Sequence, residues 1–224
     1  MSQANTKLSF HIRPANPDDL PQITEMVNHY IMNTTVNYCL RPVPPTHFRN
    51  TLSDAQQRKL PFLVAVEGTS GEGQDGIMGF TTVSPWTPSK LGYAHTLEMS
   101  IYTSPTQRGG GVGTALLESM IRYLETEEYL TFAEGGALSS SGDIPTAGIP
   151  IGIPAKCKKV LAIMAVDADK KIDEGVKRFY LNNGFREVGY IIGIGWKFGG
   201  EQDVRFLMKD VNESHIPGKE LGGV

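Results

Sequence analysis

A glycine-rich run that follows a basic residue is the segment of this chain best suited to bind an anion. After Arg108 the chain continues with Gly109-Gly110-Gly111-Val112-Gly113 and then enters a segment of helical period. Closely spaced glycines let backbone N–H groups approach an anion, and the N-terminus of a helix adds partial positive charge. The run therefore predicts a phosphate cradle, with an ordinary glycine turn that caps a helix as the alternative.

Two familiar nucleotide-binding motifs do not fit this run. A P-loop requires a lysine after its glycines, whereas Gly113 is followed by Thr114. A dinucleotide fingerprint requires a third glycine three residues later, and that position is Leu116. What remains is an arginine or glutamine followed after two residues by Gly-x-Gly, a pattern that Arg108 and Gly111 satisfy together with Gly113.

The composition indicates one globular domain without a basic surface for nucleic acid. The chain has 224 residues, of which 40% are hydrophobic and 20% charged, and its formal net charge is −3. Its two cysteines, Cys39 and Cys157, do not form a disulfide framework or a Cys/His cluster with zinc spacing, so no metal site is predicted. The polar N-terminus and the absence of a long apolar run predict a cytoplasmic protein without a membrane span.

Strands and helices alternate along the chain in a way that predicts a mixed α/β fold. Alternating or wholly apolar segments predict seven strands, at residues 10–13, 62–66, 77–83, 96–102, 160–166, 185–194 and 203–208. Helical spacing and capping residues predict four helices. The first follows Asn16, the second spans about 46–58, the third follows Gly113, and the fourth spans about 173–182. This order favours a sheet whose first half is antiparallel.

One long stretch carries no convincing period. Eight of the 24 residues from Ala133 to Lys156 are glycine or proline, and three more are consecutive serines. We interpret the stretch as a long mobile insertion, with a lid or partner-binding loop as the functional alternative. The predicted organisation is one domain over residues 8–210 with an insertion at about 130–157, and a polar tail over 211–224.

Several spaced segments resemble one family. The glycine run and the order of elements resemble the GNAT superfamily of N-acetyltransferases. A narrower resemblance, to phosphinothricin-acetyltransferase-like proteins, is carried by Ile12-Arg13-Pro14-Ala15, Asn28-His29-Tyr30, Ser84-Pro85-Trp86, His95 to Tyr102, and Asn183 to Gly189. The resemblance implies a mixed, mostly antiparallel sheet of about seven strands flanked by about four helices. It also implies acetyl-CoA as co-substrate, a primary amine of a small molecule as acceptor, and a homodimer.

The resemblance also assigns catalytic roles. Glu98 matches the family's catalytic glutamate and would act as general base, directly or through a water; the alternative is a solvated strand carboxylate. Tyr180, four residues before Gly184, would be the general acid that protonates the departing thiolate, or else a core tyrosine beside Phe179. Many phosphinothricin acetyltransferases have histidine at this position.

Binding residues follow from the same resemblance. The backbone of Ile101, Tyr102 and Thr103 would pair with the pantetheine arm, and the segment from Arg108 to Thr114 would hold the pyrophosphate. Arg108 is otherwise a solvated arginine at a helix start. Weaker candidates for acceptor binding are Tyr30, Val36, Trp86 and His95.

The acceptor itself stays open at the level of sequence. The first interpretation is that the acceptor is an amino acid or a compound like phosphinothricin or methionine sulfoximine. Acetylation of a protein N-terminus or lysine is a second, and a non-catalytic module that binds acyl-CoA is a third. Glu201 and Asp173 stand where relatives commonly have other residues, and Glu201 would repel an anionic acceptor if it faced the pocket.

Overall fold

A computed structural model describes residues 9–68, 76–106, 110–132, 152–167 and 169–212. Within these ranges, seven strands form one sheet in the order β1-β2-β3-β4-β7-β9-β8. Their bounds are β1 Phe10–Pro14, β2 Phe62–Glu67, β3 Ile77–Pro85, β4 Thr96–Thr103, β7 Lys159–Ala165, β8 Arg186–Lys197 and β9 Gly200–Asp210. The four helices are α1 Leu20–Asn33, α2 Pro45–Arg58, α3 Val112–Thr126 and α4 Lys170–Asn182. The predicted fold class is confirmed.

The two faces of the sheet are covered by different helices. On one face, Phe48 of α2 packs edge-on against Phe80 of β3, with ring centroids 5.7 Å apart. On the other face, Leu116 of α3 lies so close to Gly79 that a Cβ added there would be 3.1 Å from its Cδ1 atom. Both helices bury apolar stripes that recur at helical spacing. The sheet therefore separates an α1–α2 side from an α3 side.

The central strand β7 is parallel to β4 and antiparallel to β9. Five of its seven residues are buried, as the apolar run that follows Lys159 predicts for a strand covered on both faces. The other neighbouring pairs in the sheet are antiparallel. The antiparallel pairs among β1, β2, β3 and β4 confirm the predicted antiparallel first half of the sheet.

A second, two-stranded sheet lies outside the predicted pattern. Strand β5, Glu128–Thr131, pairs antiparallel with β6, Ile153–Lys156. The interpretation of residues 133–156 as a stretch without regular structure is therefore wrong for its last four residues. Tyr129 and Ala155 are buried across this pair, but four residues that include Pro154 are too few to show a period of two. Residues 133–151 lie outside the described ranges, as do 213–224 of the predicted tail.

The start of α4 also differs from its prediction. The helix begins at Lys170, and the Asp169 carboxylate caps it by accepting a hydrogen bond of 2.9 Å from the Lys171 N–H. Asp173, the predicted start, is instead a buried residue of the first turn. In the described part of the chain, no helix has both the length and the apolar character needed to span a membrane.

Candidate active site

A gap between β4 and β7 is the central feature of the site. The two strands pair only from Thr96 to Met99, although β4 continues to Thr103. On its other side β4 stays paired with β3, where Thr96 O accepts from Trp86 N–H and Ser104 N–H donates to Met78 O. Peptide groups alternate in direction along an antiparallel strand, so those of the odd-numbered residues point towards β7.

The peptide groups of Ile101 and Thr103 therefore face the gap. Beyond Met99 no described strand pairs with this edge of β4. The Thr103 carbonyl accepts a hydrogen bond of 2.8 Å from the hydroxyl of Tyr30, which anchors the end of the strand. An open strand edge can bind an extended ligand by backbone hydrogen bonds, as the sequence resemblance implied for the pantetheine arm.

The start of α3 lies next to this edge. Gly111 has a φ of +81°, a left-handed conformation that favours glycine, and precedes the helix as its N-cap. No described side chain caps the helix, which leaves the first N–H groups directed outward. A Cβ built at Gly113 would lie 3.6 Å from both Thr103 Cγ2 and Phe179 Cε2, so strand end and helix start are in contact distance.

These features fit the two arms of acetyl-CoA. The start of α3, within the segment from Gly110 to Thr114, has N–H groups that could hold the pyrophosphate. It adjoins the open edge of β4, which leads towards Glu98 and could hold the pantetheine arm. Arg108 and Gly109, the other predicted pyrophosphate residues, lie outside the described residues.

A cavity of about 510 Å³ lies on the α1–α2 side of β4. The side chains of Glu98, Ser100 and Tyr102 line it together, since alternate residues of a strand share one face. Its further lining residues come from β3, the middle of α1, the length of α2, and the segment between the two helices: Val27, Asn37, Cys39, Val43, His47, Phe48, Asn50, Thr51, Asp54, Phe80, Thr82, Val83 and Ser84. Another depression, on the outside of α1, contains none of the predicted catalytic residues.

Glu98 is the carboxylate that β4 contributes to this cavity. It pairs with Ser84 of β3 on one side and with Leu161 of β7 on the other, immediately before the gap opens. Its side chain is partly buried, and desolvation raises the pKa of its carboxyl group above the ordinary value. A carboxylate with a raised pKa is a stronger base than a solvated one, so the position suits proton abstraction.

The side chain of Tyr102 was missed, because the sequence interpretation considered only its backbone. Its hydroxyl accepts a hydrogen bond of 3.2 Å from Asn37 Nδ2, and its ring stacks on Phe80 with centroids 5.3 Å apart. Burial raises the pKa of Tyr102, so it stays protonated at neutral pH. Its even-numbered offset from Glu98 was the signal that could have placed it in the cavity.

Tyr180 is buried where α4 approaches β4. Its ring packs against Phe179 and Phe185, each with centroids 5.2 Å away. Burial, and then the proximity of Tyr102, raise the pKa of Tyr180 far above that of a free tyrosine. The two interpretations of Tyr180 made from sequence, a core tyrosine and a general acid, are therefore compatible, since a buried tyrosine can still donate its proton to a group beside it.

The other predicted acceptor-binding residues do not line the cavity. Tyr30 is buried in the core and bonds Thr103, while Val36 packs against the core. Trp86 is partly exposed beyond the end of β3. His95 is exposed, with Nδ1 2.8 Å from the carbonyl oxygen of Lys156, and the structure does not bring it together with Glu98.

The segment between α1 and α2 is held in place by the β8–β9 hairpin. Lys197 is buried and donates a hydrogen bond of 2.8 Å to Asn37 O, while Tyr38 Oη donates one of 2.9 Å to Asp203 O. A Cβ at Gly195 would come within 2.8 Å of the Tyr38 ring, which explains the glycine. These contacts place the Asn37 amide against Tyr102. Among the described residues, no group of three His, Cys, Asp or Glu could hold a metal ion.

Comparison with known proteins identifies the family. The model of the acetyltransferase (GNAT) family matches residues 25–136, half of the chain, including β4 and α3. A phosphinothricin N-acetyltransferase of Streptomyces viridochromogenes is 26% identical over 200 residues, covering 89% of this chain and 86% of that protein. An L-methionine sulfoximine/L-methionine sulfone acetyltransferase of Pseudomonas paraeruginosa is 35% identical over 115 residues, covering 51% of this chain and 63% of that protein.

Solved structures show the same fold. A phosphinothricin acetyltransferase from Sinorhizobium meliloti, in complex with acetyl-CoA, superposes with a TM-score of 0.68 at 20% identity and covers 95% of this chain and 94% of that one. A Salmonella typhimurium acetyltransferase with acetyl-CoA gives the same TM-score at 21% identity, covering 94% of this chain and 99% of that one. The likenesses to solved structures show the fold, and the family match over both β4 and the glycine run shows that the chain belongs to the acetyltransferase (GNAT) family.

Proposed function

We propose that this protein is an acetyl-CoA-dependent N-acetyltransferase that acts on a primary amine of a small molecule. The observation that carries the proposal is the position of Glu98. It lies in a cavity large enough for a small molecule, two strand positions before the open edge of β4. The relatives named for phosphinothricin and methionine sulfoximine support a small acceptor.

Direct transfer requires three things of the protein's own groups. An amine is protonated in water, so Glu98 removes a proton before the nitrogen attacks the thioester carbonyl. Backbone N–H groups along the open edge of β4 can donate to the oxygen on which charge develops. Tyr180 donates its proton to the thiolate as the carbon–sulfur bond breaks, and it regains a proton, through solvent, when the nitrogen loses its second proton on becoming an amide. The proton on Glu98 then leaves to solvent, which restores the base.

The experiment that tests this function is a thiol-release screen. The protein is incubated with acetyl-CoA and a library of small amines and amino acids, including phosphinothricin and methionine sulfoximine. Release of free CoA that depends on both the protein and an amine, with an acetylated product found by mass spectrometry, supports the proposal. Tight acetyl-CoA binding without acetylation of any amine would contradict it and favour a non-catalytic module.

The role of Tyr180 is tested by Tyr180→Phe. This variant keeps the ring that packs against Phe179 and Phe185 but removes the proton donor. We expect kcat to fall about 10²-fold, with acetyl-CoA affinity unchanged, because general acids typically contribute at least this much. The loss should be smaller with an acetyl thioester of more acidic thiol, whose leaving group needs less protonation. An undiminished kcat would limit Tyr180 to packing.

We also propose that the protein is a homodimer that associates through β8. This strand is an edge of the sheet, and its exposed apolar side chains include Ile192 (79% exposed), Trp196 (60%) and Ile194 (57%). An exposed apolar edge strand invites pairing with another chain. A second copy related by a two-fold axis would offer the same strand in the antiparallel sense, so one surface satisfies both partners.

Light scattering tests this assembly. We expect the mass of two chains for the native protein and of one chain for Ile192→Asp, since a charge would be buried at the interface. Ile172→Asp on α4, where the isoleucine is 39% exposed, is the matched control and should remain dimeric. A native protein with the mass of one chain would refute the dimer.

A further inference from the structure

The charges around the cavity of Glu98 are unbalanced. Two carboxylates, Glu98 and Asp54, belong to its lining, and among the described lining residues no lysine or arginine accompanies them. His47 is the basic side chain in that set. Solvent can partly screen an exposed carboxylate, but Glu98 is partly buried, so its charge acts at short range on whatever binds beside it.

Arg58 and Lys197 each bind a residue of the lining but do not themselves line the cavity. Arg58 holds the Asp54 carboxylate through Nε at 2.8 and 2.9 Å, and its guanidinium lies 4.9 Å from the ring centre of Phe132. Lys197 is 98% buried and directs its ammonium group to Asn37 O. Arg58 therefore offsets the charge of Asp54, and neither cation lines the cavity.

What the cavity does offer is neutral hydrogen-bonding groups. Hydroxyl and amide side chains line it, contributed by Asn37, Asn50, Thr51, Thr82, Ser84, Ser100 and Tyr102. The Thr82 hydroxyl is buried and has no hydrogen-bond partner in the structure. An unsatisfied buried hydroxyl is unfavourable, and a bound ligand or water would supply the missing hydrogen bond. Thr82 faces the same side of the sheet as Ser100, its cross-strand partner.

These observations disfavour an acceptor with a carboxylate beside its amine. Phosphinothricin and methionine sulfoximine, for which relatives are named, are amino acids. Placing such a carboxylate next to Glu98 would bring two like charges together without a lining arginine or lysine to offset them, and desolvation adds to the cost. An uncharged polar group would instead find hydroxyl and amide partners.

We infer that the acceptor is a primary amine whose neighbouring groups are uncharged and form hydrogen bonds, such as an amino amide or amino alcohol, and not a free α-amino acid. This inference rests on the proposed acetyltransferase function and narrows its substrate class. The amine itself binds as a cation, which the carboxylate of Glu98 attracts before accepting its proton.

Matched pairs of acceptors test this inference. Methionine sulfoximine, phosphinothricin, methionine and serine are each compared with their own carboxamides, which differ in charge but little in shape. Values of kcat/KM are expressed per protonated amine, the form that binds, because the carboxamide lowers the amine pKa and so changes the fraction of that form. We expect each carboxamide to be favoured by about tenfold or more. A consistent preference for the carboxylates would overturn the inference while leaving acetyl transfer intact.

A variant that adds a cation provides the reverse test. Thr51→Arg places a guanidinium in the lining of the cavity and should raise kcat/KM for the carboxylate member of each pair by about tenfold relative to its carboxamide. Thr51→Gln adds length without charge and should leave the preference unchanged. An unchanged preference in Thr51→Arg would overturn the inference. If the native protein acetylates no amine at all, both the proposed function and this inference fail.

Discussion

Replacing Glu98 with glutamine should lower kcat for amine acetylation by about 10² to 10⁴-fold. The amide keeps the size of the side chain and its place between Ser84 and Leu161, but it cannot accept the proton of the attacking amine. Acetyl-CoA affinity, measured by calorimetry, should stay nearly the same, since the open edge of β4 and the start of α3 are unaffected. Steady-state thiol release with saturating amine provides the kinetic measurement.

The pH profile provides a second readout of the same variant. Desolvation raises the pKa of the Glu98 carboxyl group, and only its ionised form is a base. The rate should therefore fall as pH decreases through this raised pKa and reach its plateau above it. Glu98→Gln should lose that acidic limb along with its activity.

Glu118→Gln is the control for this variant, because Glu118 is exposed on α3 and does not line the cavity. It should retain native kcat and the native pH profile. Equal activity in Glu98→Gln would remove Glu98 from the mechanism.

Replacing Arg205 with methionine should destabilise the protein by about 3–5 kcal/mol. Arg205 of β9 and Asp173 of α4 are both buried, and the guanidinium donates to the carboxylate at 3.0, 3.2 and 3.3 Å. Removing the cation leaves a carboxylate in the interior without its partner. The shift in the urea midpoint of unfolding, at unchanged slope, measures the loss.

Two comparisons isolate the buried pair. Lys156→Met breaks an exposed contact, 3.8 Å between Lys156 Nζ and Glu128 Oε1, and should cost less than about 1 kcal/mol. The double variant Arg205→Met with Asp173→Leu should recover part of the loss, because it removes both buried charges. A single Arg205→Met variant as stable as the native protein would show that the pair contributes nothing to stability.

The ion pair between Arg205 and Asp173 should also affect kcat. Asp173 and Tyr180 lie on the same helix, so the ion pair fixes α4 against the strand next to β7. Arg205→Met should therefore lower kcat at temperatures where the protein is still folded, through displacement of Tyr180.

Much of the fold was predictable because its signals are local. Strand β7 is apolar after Lys159, β4 alternates, and α3 carries an apolar stripe after a glycine run, so the pattern within each element predicts its conformation. The short pair β5–β6 was not predictable, because four residues with a proline carry no period and gain their burial from distant partners.

The candidate site shows the same division. Glu98 was found from its place in a recognisable segment, whereas the Tyr102 side chain was overlooked although its spacing from Glu98 was visible. The contacts of Lys197 and Tyr38 had no sequence signal, since each joins residues about 160 positions apart, as in the 2.8 Å bond between Lys197 Nζ and Asn37 O. Such contacts exist only once the hairpin β8–β9 packs beside the segment that follows α1.

The sequence by itself determined the family and the order of the four helices and of the seven strands in the main sheet, and it predicted the type of co-substrate, because these depend on residues that are neighbours in the chain. Only the tertiary structure decided which side chains surround Glu98. The composition of that cavity, two carboxylates with neutral hydroxyls and amides, is assembled from α1, α2, β3 and β4, and its net charge exists only when they meet. The nature of the acceptor therefore depends on packing, whereas the residues proposed for acetyl transfer lie mostly on β4 and in the glycine run that follows it.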